Sequence, residues 1–212
     1  MLQLSGESSL SNFLFDSLWP GLLILTLLYI SDYRLTIICA RLYRGGVNEK
    51  IVFEGSYELN PFYQKDVDAL KAISPRFFYM LLLSASLITL VWFLTRVSAP
   101  QLYEFLLGSM ILMQLTIHLR HLRNFFTFRA MRNSGNVRGR IEYSRPFILG
   151  MSSSELLVFS GFYLLLFAFV QQWFFRGGAV GCLSAGMRHR KYTKKALLNQ
   201  TAPLQSPHQA SA

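Results

Sequence analysis

Four apolar runs constrain the fold of this chain more than any other feature of its sequence. They extend over about residues 18–40, 77–94, 102–119 and 147–175. Crossing the hydrocarbon layer of a membrane, about 30 Å thick, takes roughly 20 helical residues. The runs are close to this length or longer, so the sequence predicts an all-α integral membrane bundle of four transmembrane helices.

The composition agrees with a membrane protein. Apolar residues make up 52% of the chain and charged residues only 15%, whereas charges make up about 25% of an ordinary soluble domain. The net charge of +10 does not indicate nucleic-acid binding, because the Lys and Arg residues stand just outside the apolar runs, where the positive-inside rule places them. We therefore expect the lipid bilayer, and no nucleic acid, as the main partner.

The runs divide the chain into an N-terminal lead-in (1–17), a transmembrane domain (18–176) and a basic tail (177–212). The lead-in has two acidic residues and no Lys or Arg, so it does not resemble a cleaved secretory signal. We expect the tail (177–212) to be disordered, because from Thr193 it is rich in Gln, Ser, Pro and Ala, which is typical of disorder. A fifth crossing over residues 177–187 is not predicted, because this segment is short and rich in Gly.

The distribution of positive charge predicts an orientation in the cell membrane. Residues 41–76 contain six Lys or Arg and residues 120–145 contain seven, whereas the turn between the second and third runs contains only Arg96. Both long loops should therefore face the cytoplasm and contact anionic lipid headgroups. Four crossings would place the C-terminus outside, which conflicts with the five Lys and Arg residues at positions 188–195.

A short helix is predicted between the first two runs. Asn60 and Pro61 have the pattern of an N-cap followed by a first-turn proline. Four apolar residues after them can line one side of a helix: Phe62, Val67, Leu70 and Ile73. This pattern indicates an interfacial amphipathic helix.

Asp32 is the most informative residue, because a carboxylate inside an apolar run is costly unless it faces a protein interior or a water-filled cavity. At helical spacing it shares a stripe with other polar side chains, namely Tyr29, Thr36 and Cys39 or Tyr43. The functional interpretation is a site for an ion, a proton or a substrate around Asp32 and Thr36. The alternative is a structural contact with hydroxyl groups of the second run, at Ser84, Ser86 or Thr89.

Three further polar residues are candidates for the same site. Glu58 and Asn60 either cap the connecting helix or fold back to supply oxygen ligands near Asp32. Glu155 lies early in the fourth run, where we expect first a salt bridge to Arg34 or Arg145 and only second a role in the site. The neighbouring Gly150 and Ser154 form a small-xxx-small pair that favours close helix packing.

His118 and His121 are three residues apart on one helix face, a spacing that can bind a transition metal. Each lies next to an arginine, which disfavours a bound cation. Anchoring of both imidazoles at the membrane interface is the preferred interpretation, and no metal or other cofactor is expected.

The first third of the chain resembles a family of small prokaryotic multi-pass membrane proteins of unknown activity. That family carries an intramembrane Asp with a nearby Thr, followed by a Glu-x-Asn-Pro motif. The matching residues here are Asp32 and Thr36, then Gly45, Gly46 and Gly55, then Glu58-Leu59-Asn60-Pro61. Leu35 stands where the family tends to have a second Thr, and the connection to Glu58 is longer. The resemblance implies site positions but no function.

Three functions are compatible with the sequence. The first is a structural or accessory membrane subunit, which self-associates or binds a membrane-protein partner through its Gly- and Ser-bearing faces. The second is a small ion, proton or solute transporter or channel that uses Asp32. The third is a membrane enzyme acting on lipid, which ranks last because no set of nucleophile, base and orienting group is recognisable.

Overall fold

The computed structural model describes residues 13–133 and 138–201. The helices are α1 (Leu18–Arg44), α2 (Pro61–Asp68), α3 (Pro75–Thr95), α4 (Pro100–Asn133), α5 (Arg145–Val170) and α6 (Trp173–Thr201). A 3-10 turn (Val47–Glu49) precedes strand β1 (Ile51–Phe53), which pairs in parallel with β2 (Ile141–Tyr143). The all-α prediction is confirmed, and α1, α3, α4 and α5 are each long and apolar enough to cross a membrane.

The short connecting helix begins where the sequence indicates. The Asn60 side chain accepts a hydrogen bond from the Phe62 amide at 3.1 Å, and Pro61 opens α2. The helix ends at Asp68, before Leu70, which has a positive φ of 51°. Leu70 and Ile73 therefore do not extend the apolar side of α2 as predicted, and Val67 is its buried apolar residue.

The end of the chain corrects the sequence analysis. The predicted fourth span, 147–175, is divided: α5 ends at Val170, and Gln171 adopts a left-handed conformation (φ 59°) that reverses the chain. α6 then continues as one helix to Thr201, across most of the segment that we expected to be a disordered tail. Residues 202–212 lie outside the described part.

Glycine accounts for this difference, because it lets the backbone of α6 approach that of α4. An added Cβ at Gly108 would overlap the carbonyl of Phe174, and one at Gly177 would overlap the carbonyl of Phe105. At Gly181 it would lie 2.6 Å from the Ser109 oxygen. This small-residue packing holds a helix of low mean hydropathy in place. At Gly150, where the sequence predicted such packing, an added Cβ meets nothing within 4 Å.

α6 also runs antiparallel along α5. Ser160 Oγ donates to the Ala179 carbonyl and Ser153 Oγ to the Gly186 carbonyl, both at 2.8 Å. The two contacts are seven residues apart on either helix, so the register stays constant. α6 therefore returns along the whole inner part of α5.

The two ends of the bundle differ in chemistry. At one end, here called the tryptophan end, Leu18, Tyr103 and Leu107 form a core against which Trp92 and Phe174 pack. At the other, here called the basic end, Cys39, Val47 and Phe128 form a core with Phe53 and Tyr57 around it. The ladder between β1 and β2 joins the two long loops at the basic end.

A buried carboxylate fixes α2 to the start of α3. Asp66 is 4% exposed, and it accepts hydrogen bonds from Ser74 Oγ at 2.6 Å and Lys71 Nζ at 3.1 Å. Ser74 Oγ in turn caps α3 by accepting from the Phe77 amide. The Ser74 hydrogen bond, together with the positive charge of Lys71, lowers the pKa of the Asp66 carboxyl.

Gly108→Ala should disrupt the α4–α6 contact, because the new methyl group overlaps the backbone of Phe174. We expect a loss of about 1–3 kcal/mol or more in the free energy of unfolding, measured by thermal unfolding in detergent. Gly161→Ala is the matched control, since an added Cβ there meets nothing within 4 Å. Equal melting temperatures for the two variants would contradict the packing described here.

Asp66→Asn should lower the free energy of unfolding by roughly 1.5–3 kcal/mol, the contribution of hydrogen bonds to a charged group. Since the pKa of Asp66 is lowered by folding, its contribution is complete above the unfolded-state pKa of about 3.9 and is lost as the pH falls through the lower folded value. Unfolding curves at pH 7 and pH 3 test this. The gap between wild type and variant should narrow at the lower pH.

Candidate functional site

Asp32 lies on the inner side of α1 with its side chain only 18% exposed. Its Oδ1 is buried and has no hydrogen-bond partner among the described residues. The nearest oppositely chargeable atom is Nε2 of His121 on α4, at 3.9 Å. A carboxylate oxygen left in this state is costly in a protein interior. It therefore marks a place that a proton, a water molecule or a ligand would satisfy.

Residues from two elements surround the Asp32 carboxyl group. Gln114 and Arg120 of α4 interact with it, and so does Glu58 of the loop before α2. Of the predicted site residues, Glu58 is near enough to act electrostatically on the Asp32 carboxyl group. Asn60 instead caps α2, with its side chain bonded to Phe62.

The hydroxyl contacts proposed as a structural explanation go elsewhere. Ser84 Oγ pairs with Tyr29 Oη at 3.1 Å, which joins α1 to α3. Thr36 Oγ1 donates to the backbone oxygen of Asp32 at 2.9 Å, one helical turn away. Neither bond reaches the Asp32 carboxylate, so Ser84 is not the partner of this carboxylate.

Both histidines turn a ring nitrogen into the protein interior. The His121 side chain is 14% exposed, and the Nδ1 atoms of both His118 and His121 are buried without a hydrogen-bond partner in the described part of the chain. Cys39 Sγ donates to the His121 carbonyl at 3.5 Å, which holds α1 against α4 at this level. Within residues 13–133 and 138–201, no three His, Cys, Asp or Glu side chains are arranged to hold a metal ion.

Glu155 belongs to a neighbouring network centred on Arg120. Arg120 donates from Nε to Glu155 at 2.5 Å and from Nη1 to Ser152 Oγ at 2.7 Å. Ser152 Oγ lies 2.7 Å from Nδ1 of His189 on α6. Because this hydroxyl accepts from Arg120, its own proton is free to go to the imidazole. The network therefore joins α4, α5 and α6.

This network corrects the predicted partners of Glu155, which were Arg34 and Arg145. The carboxylate pairs with Arg120 and Arg123 instead. The reason is that α4 continues past residue 119 to Asn133, so its first arginines stay helical and face α5. Arg120 Nη2 remains buried without a partner among the described groups.

Arg145 holds the loop that carries Glu58. Its guanidinium donates to the carbonyls of Ser56 at 2.9 Å and Leu59 at 3.3 Å. Glu58 Oε1 accepts from the Asn60 amide at 2.7 Å. Burial raises the pKa of Glu58, while the Asn60 hydrogen bond and the charges of Arg120 and Arg145 oppose the rise.

Tyr57, the residue before Glu58, lines an open pocket at the basic end. The pocket is lined in part by Tyr43, Arg44, Asn48 and Tyr57. Burial raises the pKa of Tyr57 well above its usual value, and its hydroxyl accepts a hydrogen bond from Asn124 at 3.4 Å. The loop that carries Glu58 thus also lines this pocket through Tyr57.

Sequence reasoning missed two members of these networks. His189 stood in a segment predicted to be disordered, and Ser152 was seen only as part of a serine run. The spacing of Gly177 and Gly181, a G-x-x-x-G pattern, was the available signal that this segment packs as a helix. Recognising it would have placed His189 three turns further along on the same helix.

Comparisons with family models, with curated proteins and with solved structures give no match. The case for a function therefore depends on the chemistry of these side chains.

Glu155→Gln should destabilise the protein by about 3–5 kcal/mol, because it leaves the buried Arg120 guanidinium without its carboxylate. The control is Glu142→Gln, which breaks the exposed ion pair with Arg140 and should cost less than about 1 kcal/mol. Thermal unfolding in detergent compares the two. If Glu155→Gln is no worse than the control, Glu155 does not hold α4 to α5.

Proposed function

We propose that this chain is a multi-pass protein of the cell membrane that binds and passes a proton at Asp32. This is the transport function that ranked second in the sequence analysis. The observation that carries it is the buried, unbonded Oδ1 of Asp32 beside His121. Ionisable side chains inside membrane helices are rare and mark ion or proton pathways by default.

A proton fits this site better than a metal ion does. Asp32 and Glu58 supply two carboxylates, but Arg120 lies close enough to act on both. A fixed guanidinium opposes a divalent cation, whereas a proton needs no shell of oxygen ligands. The imidazole of His121 lies next to the Asp32 carboxyl group, so the pair offers two adjacent groups that can bind a proton.

Asp32→Asn should abolish proton flux while leaving the fold intact, since Asn has nearly the same shape and cannot ionise. The measurement is acidification of proteoliposomes by a potassium diffusion potential, followed with a pH-sensitive dye. The matched control is Asp16→Asn, an exposed carboxylate just before α1. Its flux should equal that of wild type.

Two outcomes would overturn the proposal. One is flux in Asp32→Asn equal to that of the wild type. The other is the absence of flux in wild-type vesicles whose protein is folded by its melting curve. The second result would favour the accessory function.

The accessory subunit remains the second candidate because of the outer face of α3. This helix contributes few side chains to the interior, namely Phe77, Ser84 and Ile88. Eight of its large residues are 40–68% exposed: Phe78, Tyr79, Leu82, Leu83, Leu87, Leu90, Phe93 and Leu94. Such a face suits lipid or a partner helix, so an accessory role predicts that cross-linkers placed on α3 capture a second membrane protein or a second copy.

A lipid-modifying enzyme stays the third candidate. The resemblance to prokaryotic proteins with the Asp and Glu-x-Asn-Pro pattern is compatible with a shared site at Asp32 and Glu58, and it favours none of the three functions.

A further inference from the structure

The three tryptophans of the chain and one ring of arginines define two levels in the bundle. Trp19, Trp92 and Trp173 occur near the starts of α1 and α6 and the end of α3, all at the tryptophan end. Arg34, Arg76 and Arg188 lie toward the basic end of the same helices. Tryptophan prefers the membrane–water interface, and arginine extends to the headgroups. The two levels therefore mark two interfaces.

The separation of the levels is the same in all three helices. Trp19 and Arg34 are fifteen residues apart in α1, Arg76 and Trp92 sixteen in α3, and Trp173 and Arg188 fifteen in α6. At 1.5 Å per residue these lengths are about 22–24 Å. The arginine side chains extend outward at one end and the tryptophan side chains at the other. With these extensions, the distance between the two levels covers most of a hydrocarbon layer of about 30 Å.

Contacts between the helices place these levels side by side. Tyr33, next to Arg34, stacks on Phe77, next to Arg76, with ring centroids 4.8 Å apart. On α6, His189 follows Arg188 and reaches Ser152, which is bonded to Arg120 of α4. Nε2 of His121, next to Arg120, lies 3.9 Å from the carboxylate of Asp32 on α1. Arg120 therefore lies at about the same depth as Arg34, Arg76 and Arg188.

At the tryptophan end, two of the three indoles contact arginines. The guanidinium of Arg96 lies 4.8 Å from the ring of Trp92, and that of Arg176 lies 4.6 Å from the ring of Trp173. These pairs are typical of side chains at an interface, where a cation can stay hydrated above an apolar ring. The end of α3 and the start of α6 therefore lie at the same interface.

We propose that α6 is a fifth membrane crossing, and that it carries residues 188–195 to the cytoplasmic face as a binding surface for anionic phospholipid headgroups. Five basic side chains belong to this surface, and α6 contains no Asp or Glu. Arg188, Arg190, Lys191, Lys194 and Lys195 are all exposed. The register between α5 and α6 places these five side chains level with the first two turns of α5, which begins at Arg145.

This arrangement removes the conflict in the charge pattern. With five crossings, the tail lies on the same side as the basic loops 41–76 and 120–145, as the positive-inside rule requires. A cluster of four to eight Lys and Arg just cytoplasmic of a membrane helix attracts anionic lipid, at about 1 kcal/mol per residue. Asp32 is two residues before Arg34 and therefore lies just inside this cytoplasmic interface. The lipid surface at residues 188–195 does not depend on proton transfer there.

The crossing is tested with the full chain carrying a C-terminal reporter. A fluorescent protein that matures only in the cytoplasm should be bright, and an alkaline phosphatase that is active only outside should be inactive. The reverse pattern would show that α6 does not cross.

Lipid binding is tested on the purified full chain in detergent by native mass spectrometry, with phosphatidylglycerol or phosphatidylcholine added. Wild type should bind phosphatidylglycerol preferentially, and the triple variant K191Q/K194Q/K195Q should bind it roughly ten- to a hundredfold more weakly. The triple variant K191R/K194R/K195R keeps the charge and should bind like wild type. Both variants should melt like wild type, since these lysines are exposed.

Two results would overturn the lipid surface. One is undiminished phosphatidylglycerol binding by K191Q/K194Q/K195Q, which would show that other basic residues bind the lipid. The other is displacement of the lipid by inorganic phosphate at equal concentration, which would indicate a phosphate site and not a membrane contact.

Discussion

The backbone contact between α4 and α6 is the constraint on which the rest of this structure depends. Gly108 and Gly177 let the two helices meet without side chains between them. That contact sets the depth of α6, which brings His189 to Ser152 and closes the network around Arg120. Arg120, fixed in this way, acts electrostatically on the Asp32 carboxyl group. A change of helix spacing here would therefore alter the charge around Asp32, about three turns away.

The apolar runs were enough to predict four of the long helices, because length and hydropathy decide whether a segment can cross a membrane. Hydropathy by itself does not say where the helices end. The part of α4 that continues to Asn133 is not apolar. Its arginines Arg120 and Arg123 form ion pairs with Glu155, which stabilise this part. α6 has a low mean hydropathy and many basic residues, so its position depends on close packing through its glycines. Counting apolar residues along the sequence does not reveal such packing.

The candidate site was predictable in its residues and not in its partners. Asp32 stands out in any apolar run, and Glu58 follows a recognisable helix-start pattern. Their proximity depends on Arg145, which binds the carbonyls of the Glu58 loop from the start of α5. Contacts between residues that are about 90 positions apart leave no pattern in the neighbouring sequence from which they could be predicted. His121 likewise lay among arginines in the sequence, and the orientation of α4 alone turns its ring toward Asp32.

The ladder between β1 and β2 has a consequence for the order of folding. It joins Ile51 to Ile141 and closes a loop that contains α2, α3 and α4. Loops of this length cost entropy before their contacts are made, and only three residue pairs form the ladder. Ile141 is 53% exposed, although its partner Ile51 is buried. We therefore expect the ladder to form only after the helices between the strands have assembled.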